Sequence, residues 1–200
     1  MQIRAEAFTS LRAFTTIFPE KLSQILSGGR AIVKKKVCLF GAFGVGKTSL
    51  IGRFVSNIFS AQYLSTVGVK VDKKLLSFGP GKDLMMMVWD LEGRDDYVSI
   101  ADSYLRGMSG FFLVADGTRP ETLDNARDIQ RVMAGLFTEV PSALLLNKTD
   151  LSAQWRASDE DCAEFRASGI EVLRTSAKDG SGVDESFAAL GRRMLGEVGV

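Results

Sequence analysis

The segment from Gly41 to Thr48 constrains the fold of this chain more than any other. It reads G-x-x-x-x-G-K-T, with a short apolar and β-branched run, Lys35–Phe40, before it. Apolar residues at helical spacing follow in Ser49–Val55. Glycines at these positions let the backbone curl until successive N–H groups converge on phosphate oxygens, and the following helix adds the positive end of its dipole. The segment therefore predicts a phosphate-binding loop between a strand and a helix, with Lys47 on the outer phosphates and Thr48 on a magnesium ion.

Composition predicts a cytoplasmic protein without a nucleic-acid surface. The 200 residues suit one domain with a short appendage, and 25 basic against 24 acidic side chains leave a net charge of only +1. Cys38 and Cys162 fall in a predicted strand and a predicted helix, where we expect them to be buried and reduced. We find no membrane-spanning run and no secretory signal pattern. Histidine is absent, so the chemistry must depend on positioning and electrostatics, as phosphoryl transfer does.

Residues 1–33 are predicted to form an N-terminal helical extension, separate from a domain over residues 34–200. Pro19 interrupts the apolar stripe of this extension, which predicts two short helices or one helix kinked near Phe18, ending at Gly28-Gly29. The extension has three alternative roles: packing on the domain's own surface, contacting a partner or a second copy in a homodimer, or binding a membrane surface. The stripe consists of Ile3, Ala7, Leu11, Phe14, Phe18, Leu22 and Ile25.

The remaining chain alternates between predicted strands and helices. This alternation predicts an α/β fold with a six-stranded, mostly parallel sheet, one antiparallel edge hairpin and helices on both faces. In such a sheet the ligand lies at the carboxyl ends of the strands. The hairpin turn is expected at Phe78-Gly79-Pro80-Gly81. The predicted strands are Lys36–Phe40, Val67–Phe78, Asp83–Trp89, Gly110–Asp116, Ala143–Asn147 and Glu171–Arg174, and the helices begin near Lys47, Asp95, Pro120, Ser158 and Val183.

Three further motifs fall at predicted strand ends. Asp90–Gly93 has the form D-x-x-G, Asn147–Asp150 has the form N-K-x-D, and Thr175-Ser176-Ala177-Lys178 follows the last strand. A carboxylate at Asp150 can accept both the N1–H and the 2-amino hydrogens of guanine, which adenine does not offer. A buried acid left without those hydrogens penalises the wrong base.

With these four motifs in order, residues 34–196 resemble the Ras superfamily of small GTPases, and Tyr104–Gly107 and Val114–Thr118 are most similar to the Rab branch. The resemblance implies that Thr66 closes on Mg²⁺ and the γ-phosphate, and that Phe59 packs against guanine. It implies that Asp90 holds Mg²⁺ through water, and that Gly93 donates its N–H to the γ-phosphate. The metal ligands are thus Thr48, Thr66 and Asp90. The residues expected to contact GTP or GDP are Gly41, Phe43, Gly44, Val45, Gly46, Lys47, Thr48, Ser49, Phe59, Thr66, Gly93, Asn147, Lys148, Asp150, Ser176, Ala177 and Lys178.

Three residues depart from the pattern of this superfamily. Arg94 stands where most Ras relatives place the glutamine that orients the attacking water, Phe43 stands where Ras has glycine, and Glu92 replaces the usual alanine. One hypothesis is slow hydrolysis, with Phe43 obstructing the arginine finger of an activating protein. In a rival hypothesis Arg94 acts as a finger in cis while Glu92 aligns the water. In the remaining alternatives these side chains point to solvent, or Glu92 pairs with Arg94. The candidates for catalysis are Lys47, Thr66, Glu92, Gly93 and Arg94.

We therefore expect a small GTP-binding switch that hydrolyses GTP, with protein effectors and exchange or activating factors as partners. The alternative is a nucleotide-locked interaction module acting through its N-terminal helices. A third hypothesis is an ATP-dependent enzyme, but the Asp150 carboxylate disfavours it because adenine lacks the two donors that guanine offers. The sequence ends at Gly196–Val200 with no cysteine near, so no lipid anchor is expected there, and the N-terminal helices would then do the docking.

Overall fold

A computed structural model of the protein describes residues 32–59, 69–91 and 105–197. Six strands form one sheet in the order β2-β3-β1-β4-β5-β6. All neighbouring strands are parallel except β2 and β3, which pair antiparallel, so the predicted sheet is confirmed. The strands are β1 Ile32–Phe40, β2 Val69–Ser77, β3 Asp83–Leu91, β4 Met108–Asp116, β5 Ser142–Asn147 and β6 Glu171–Arg174.

Helices cover both faces of this sheet. The described part of the chain contains α1 Lys47–Ser56, α2 Glu121–Leu136, α3 Ala163–Ala167 and α4 Val183–Met194. Short 3₁₀ helices occupy Thr149–Gln154 and Glu160–Cys162. Helices α1 and α4 pack on one face of the sheet, and α2 and α3 pack on the other.

The two apolar layers follow from side-chain alternation along the central strand β1. Val37 and Leu39 belong to the layer beneath α1 and α4, whereas Cys38 and Phe40 belong to the layer beneath α2 and α3. In the first layer, the rings of Phe54 and Phe187 stack with centroids 4.0 Å apart. Because each fully buried side chain of this size contributes about 1.5–3 kcal/mol, these layers hold the strand ends in fixed positions.

The turn between β2 and β3 is the one predicted from its glycines and proline. The Phe78 amide donates to the Lys82 carbonyl at 2.9 Å, and the Lys82 amide donates to the Gly79 carbonyl at 3.1 Å. Gly79 and Gly81 have φ angles of 127° and 74°, which favour glycine. The hairpin register follows, with Ser77 opposite Asp83.

Several elements differ in length from the predictions. Strand β1 begins at Ile32, four residues earlier than predicted. It therefore includes two residues, 32 and 33, that are predicted to belong to the N-terminal extension. Lysines are tolerated in this part of the strand because residues 32–35 are only half-buried or exposed. Strand β3 continues to Leu91, so Asp90 lies inside the strand, opposite Leu39 of β1. Pro120 is the N-cap of α2 rather than its first helical residue.

The helix predicted near Ser158 begins instead as a 3₁₀ turn. The Ser158 amide donates to Asp161 Oδ2 at 2.8 Å, and the Asp161 amide donates to Ser158 Oγ at 3.2 Å. This reciprocal pair resembles a capping box at the start of the 3₁₀ turn Glu160–Cys162, and the regular α-helix follows from Ala163. The N-terminal extension, the helix predicted near Asp95 and residues 67–68 of the predicted second strand lie outside the described residues.

Both cysteines are buried and neither forms a disulfide, as predicted. Burial raises the pKa of the Cys38 thiol to about 12, with Lys36 opposing the rise, and burial also raises the pKa of Cys162. In the described ranges, no helix combines the length and apolar character that crossing a membrane requires.

Candidate nucleotide-binding site

The loop between β1 and α1 is shaped by three glycines with positive φ. Gly41, Gly44 and Gly46 have φ angles of 152°, 74° and 103°. A Cβ atom on Gly41 would lie 2.2 Å from the Val114 carbonyl oxygen, and one on Gly46 would lie 2.3 Å from Asn147 Nδ2. The loop therefore packs against the ends of β4 and β5 so closely that side chains at these positions are excluded.

The Lys47 ammonium folds back across this loop. Lys47 is only 7% exposed, and its Nζ donates to the carbonyls of Gly41 at 2.6 Å and Ala42 at 3.1 Å. It is also the first residue of α1, whose N-terminus has no capping side chain and no acid in its first turn within the described residues. Backbone amides, the helix dipole and an ammonium thus converge where a phosphate chain would fit.

Thr48 and Asp90 meet beside the loop. Thr48 Oγ1 donates to Asp90 Oδ2 at 2.6 Å, and Asp90 is 1% exposed. A hydroxyl and a carboxylate are hard oxygen ligands of the kind that Mg²⁺ prefers, so the pair fits the predicted metal. No group of three or more His, Cys, Asp or Glu side chains that could hold a metal occurs in the described part of the chain. The third predicted ligand, Thr66, lies outside the described residues, so phosphate oxygens, water and Thr66 would complete the Mg²⁺ site.

Asn147 connects three loops at the carboxyl end of the sheet. Its Nδ2 donates to the Val45 carbonyl at 2.9 Å, and its Oδ1 accepts from the Ala177 amide at 3.2 Å and from Thr175 Oγ1 at 3.3 Å. Asn147 is 1% exposed. The N-K-x-D motif, the glycine loop and the Thr175–Lys178 segment are therefore brought together, as the predicted fold requires.

The Asp150 carboxylate is oriented by the loop after β6. Its Oδ1 accepts from Ser176 Oγ at 2.8 Å, and Lys178 Nζ lies 3.7 Å from its Oδ2. The side chain of Lys178 is 61% exposed, so screening by water keeps this ion pair weak. The hydroxyl contact through Oδ1 is therefore what fixes the orientation of the carboxylate.

Asp116 is a polar residue of this site to which the sequence motifs assign no role, although it lies in the Rab-like Val114–Thr118 stretch. It ends β4 and is 1% exposed. Burial alone would raise the pKa of its carboxyl, but hydrogen bonds from Lys148, Thr118 and Arg119 outweigh burial and hold that pKa below its usual value. The sequence signal was present, because the buried run of β4 ends in an acid at the same sheet edge as Asp90 and Asn147.

Of the other predicted site residues, Phe43 contacts this set through its backbone carbonyl, which accepts from Arg119 Nη2 at 3.1 Å. The described contacts do not join Phe59 to the set. Phe59 lies beyond the C-cap of α1 and is 37% exposed, and Phe43 is 56% exposed at the tip of the glycine loop. Thr66, Glu92, Gly93 and Arg94 lie outside the described residues. The roles assigned to these six residues stay predictions, as do the nucleotide and metal contacts assigned to the other site residues.

A glycine loop that opens a helix, a lysine folded over it and an oxygen pair for a metal define the class of P-loop nucleotide-binding α/β proteins. Within this class, the family model described as "Ras family" matches residues 36–196. The chain therefore belongs to the Ras family.

Individual relatives place the chain near the Rab branch. It is 34% identical over 162 residues to "Ras-related protein Rab-13" of Canis lupus familiaris, covering 80% of this chain and 79% of that protein. It is 32% identical over 162 residues to human "Ras-related protein Rab-8B", covering 80% and 78%. It is 34% identical over 168 residues to "Ras-related protein Rab-21" of Geodia cydonium, covering 83% and 73%. The chain is thus a Rab-like small GTPase, and GTPases of this family generally bind GTP or GDP with Mg²⁺.

Proposed function

We propose that this protein is a guanine-nucleotide switch that hydrolyses GTP slowly and controls partner binding through its nucleotide-dependent loops. The observation that supports this most directly is the 2.9 Å hydrogen bond from Asn147 Nδ2 to the Val45 carbonyl. It fixes the predicted base-reading loop against the predicted phosphate loop, so one ligand spanning both loops has a defined length and orientation.

In this proposal each described motif has one role. The Asp150 carboxylate accepts two hydrogens from guanine, and Lys47 and the loop amides bind the phosphates. Thr48 and Thr66 would supply oxygens for Mg²⁺ and Asp90 would hold it through water; the bound ion would neutralise phosphate charge. The alternative bases are rejected because they would cover the half-buried Asp150 carboxylate without offering the donors that guanine provides.

Thr66 and Gly93 would contact the γ-phosphate and so distinguish GTP from GDP. Loss of that phosphate releases both residues, and the loops that contain them change the surface offered to effectors, exchange factors or activating factors. This is the switching part of the proposal, and it rests on the family pattern of these two residues.

Slow hydrolysis is proposed because of Arg94 and Phe43. Arg94 supplies no neutral amide to align the attacking water. The Phe43 ring is 56% exposed at the loop tip, where it would obstruct an arginine finger that contributes about 10³–10⁵ in rate. The rival is that Arg94 itself stabilises the transition state in cis, with Glu92 aligning the water.

Single-turnover GTP hydrolysis by wild type, Arg94→Gln and Arg94→Ala separates these ideas. Slow hydrolysis predicts a wild-type rate far below the 5–20 s⁻¹ that is typical, to an order of magnitude, of stimulated Ras-type enzymes. A faster Gln variant would exclude the cis-arginine rival, whereas a sharp loss in both variants would support it. A wild-type rate in the stimulated range would exclude slow hydrolysis.

The proposal as a whole is tested by titrating GDP, GTP and ATP with and without Mg²⁺, followed by a turnover measurement on the same sample. We expect guanine nucleotides to bind much more tightly than ATP and Mg²⁺ to strengthen binding. Equal affinity for guanine and adenine nucleotides would refute the proposal.

A second function, a nucleotide-locked interaction module, is favoured by the same exposed Phe43 together with the apolar stripe of residues 1–33. Such a module would keep one nucleotide for hours and bind partners through its N-terminal segment. Deleting residues 1–30 would then abolish partner recovery. Unchanged recovery and unchanged subcellular distribution would exclude this role for the segment.

A further inference from the structure

A single guanidinium connects the phosphate loop to a buried carboxylate. Arg119 lies in the turn between β4 and α2, and its Nε donates to Asp116 Oδ2 at 2.9 Å. Its Nη2 donates to the Phe43 carbonyl at 3.1 Å. Because the guanidinium is a rigid planar fork, these two acceptors are held at a fixed separation.

The same carboxylate oxygen also holds the guanine-motif lysine. Lys148 Nζ lies 2.7 Å from Asp116 Oδ2, so Arg119 and Lys148 share one acceptor atom. The contacts form a continuous path from the Phe43 carbonyl through Arg119 and Asp116 to Lys148. This path links the predicted phosphate end of the site to its predicted base end through contacts that do not involve the Asn147 side chain.

The Asp116 carboxylate is held in place by several hydrogen bonds. Because of this, a movement of Arg119 changes the contact that Asp116 makes with Lys148. Its Oδ1 accepts from the Thr118 amide at 3.0 Å and from Thr118 Oγ1 at 2.7 Å. The Asp116 amide donates to Thr122 Oγ1 at 2.9 Å, and the residue pairs with Asn147 across β4 and β5. Buried hydrogen-bonded charges of this kind are costly to leave partly satisfied, so loss of one cation rearranges the other.

We propose that Arg119 is a positioning residue that sets how long the nucleotide stays bound, by coupling the phosphate loop at Phe43 to Lys148 through Asp116. The inference rests on the proposed guanine-nucleotide function. Arg119 holds the backbone of the phosphate loop at the Phe43 carbonyl. Because Arg119 also competes with Lys148 for Asp116 Oδ2, it limits how far Asp116 draws Lys148 away from the base. Both effects slow dissociation.

The test is the dissociation rate of a fluorescent methylanthraniloyl-GDP, chased with excess GDP, from wild type, Arg119→Ala and Arg119→Lys. Arg131→Ala is the matched control, because Arg131 is an exposed arginine of α2 that pairs only with Asp128 and Glu164 among the contacts of the described residues. Because the Arg119 side chain is 40% exposed, water replaces part of what is lost, and we expect a roughly tenfold faster dissociation for Arg119→Ala. The control should dissociate at the wild-type rate.

Arg119→Lys distinguishes geometry from charge. Lysine keeps the positive charge but presents a point donor, so it satisfies Asp116 or the Phe43 carbonyl and not both. We expect dissociation from this variant to stay at least about threefold faster than from wild type. Full rescue by lysine would overturn the proposal in favour of simple attraction to the phosphates.

A double-mutant cycle with Lys148→Gln tests the coupling itself. Two residues in one network should give a combined effect smaller than the product of the single effects, by roughly threefold or more. Multiplicative effects, or wild-type dissociation from Arg119→Ala, would overturn the proposal. Absence of nucleotide binding by wild type would instead refute the proposed function, so the two failures are distinguishable.

Discussion

Replacing Asn147 with alanine should destabilise the protein and weaken nucleotide binding together, because this carboxamide joins three loops. The substitution removes the donor to the Val45 carbonyl and the acceptor of the Ala177 amide and the Thr175 hydroxyl. Val45 and Thr175 are 0% exposed and Ala177 is 4% exposed, so water cannot easily replace the lost partner. The Thr175 hydroxyl is free to rotate about its C–O bond, whereas the Val45 carbonyl and the Ala177 amide are fixed by the backbone.

The expected cost follows from those two backbone groups. A buried donor or acceptor left without its partner costs about 1–3 kcal/mol, so the two together should lower the free energy of unfolding by about 2–4 kcal/mol after some relaxation. Asn147→Asp is isosteric and keeps the acceptor for Ala177, but it places an oxygen against the Val45 carbonyl. It should therefore disturb the phosphate loop without creating a cavity.

Urea unfolding of nucleotide-free protein in EDTA, repeated with Mg²⁺ and saturating GDP, measures both effects. The stabilisation that GDP adds reports its affinity, because a ligand that binds only the folded state stabilises it by mass action. Gln154→Ala is the control, since it removes an exposed carboxamide four residues beyond the end of the Asn147–Asp150 motif. If Asn147→Ala unfolds within about 0.5 kcal/mol of wild type and keeps the full GDP shift, the loops do not depend on this side chain and the reasoning fails.

Four further predictions test other parts of the fold and site. Gly117→Ala would place a Cβ 2.2 Å from the Trp155 ring, so we expect a loss of about 1–3 kcal/mol in thermal unfolding, seen in Trp fluorescence. Neither Cys38 nor Cys162 should react with a thiol reagent at pH 8 until the protein unfolds; rapid labelling of native protein would contradict their burial. Because the Cys38 pKa is about 12 when folded against 9.0 when unfolded, only the unfolded thiol ionises above pH 9, and stability should fall as pH rises from 9 to 12. Asp150→Ala should lose most of the preference for GDP over ADP, on the order of 10²-fold or more, in competition binding; an unchanged preference would show that another group reads the base.

Sequence was most informative where the backbone conformation is set locally. The positive φ angles of Gly41 and Gly46 are required by the loop itself, so the glycine pattern alone predicts where the loop begins and ends. The Phe78–Gly81 turn follows from the same logic. Alternation of apolar runs then predicts which strand each motif follows, and the sheet order brings Asn147 to the loop.

Sequence was least informative where a contact depends on register between distant strands. Asp116 meets Lys148 because β4 and β5 pair with Asp116 opposite Asn147, and no local pattern sets that register. The early start of β1 at Ile32 has the same origin, since pairing with β3 extends the strand through lysines that have little preference for it. The role of Arg119 depends on both the turn after β4 and the conformation of the glycine loop, so neither motif alone predicts it.

The buried polar groups of the site explain why these loops should act as one unit. Asp90, Asp116, Asn147 and Thr175 are each at most 1% exposed at the carboxyl ends of their strands or directly after them, where burial of polar atoms costs free energy. Many of their hydrogen-bond partners lie in other loops, so each loop satisfies groups that its neighbours bury. The loops therefore hold one another in place by their own contacts, and that preorganisation lowers the ordering cost of binding. A substitution in one loop should then weaken the contacts to both the base and the phosphates. If the loops were independent of one another, the same substitution would weaken only the contact that its own loop makes.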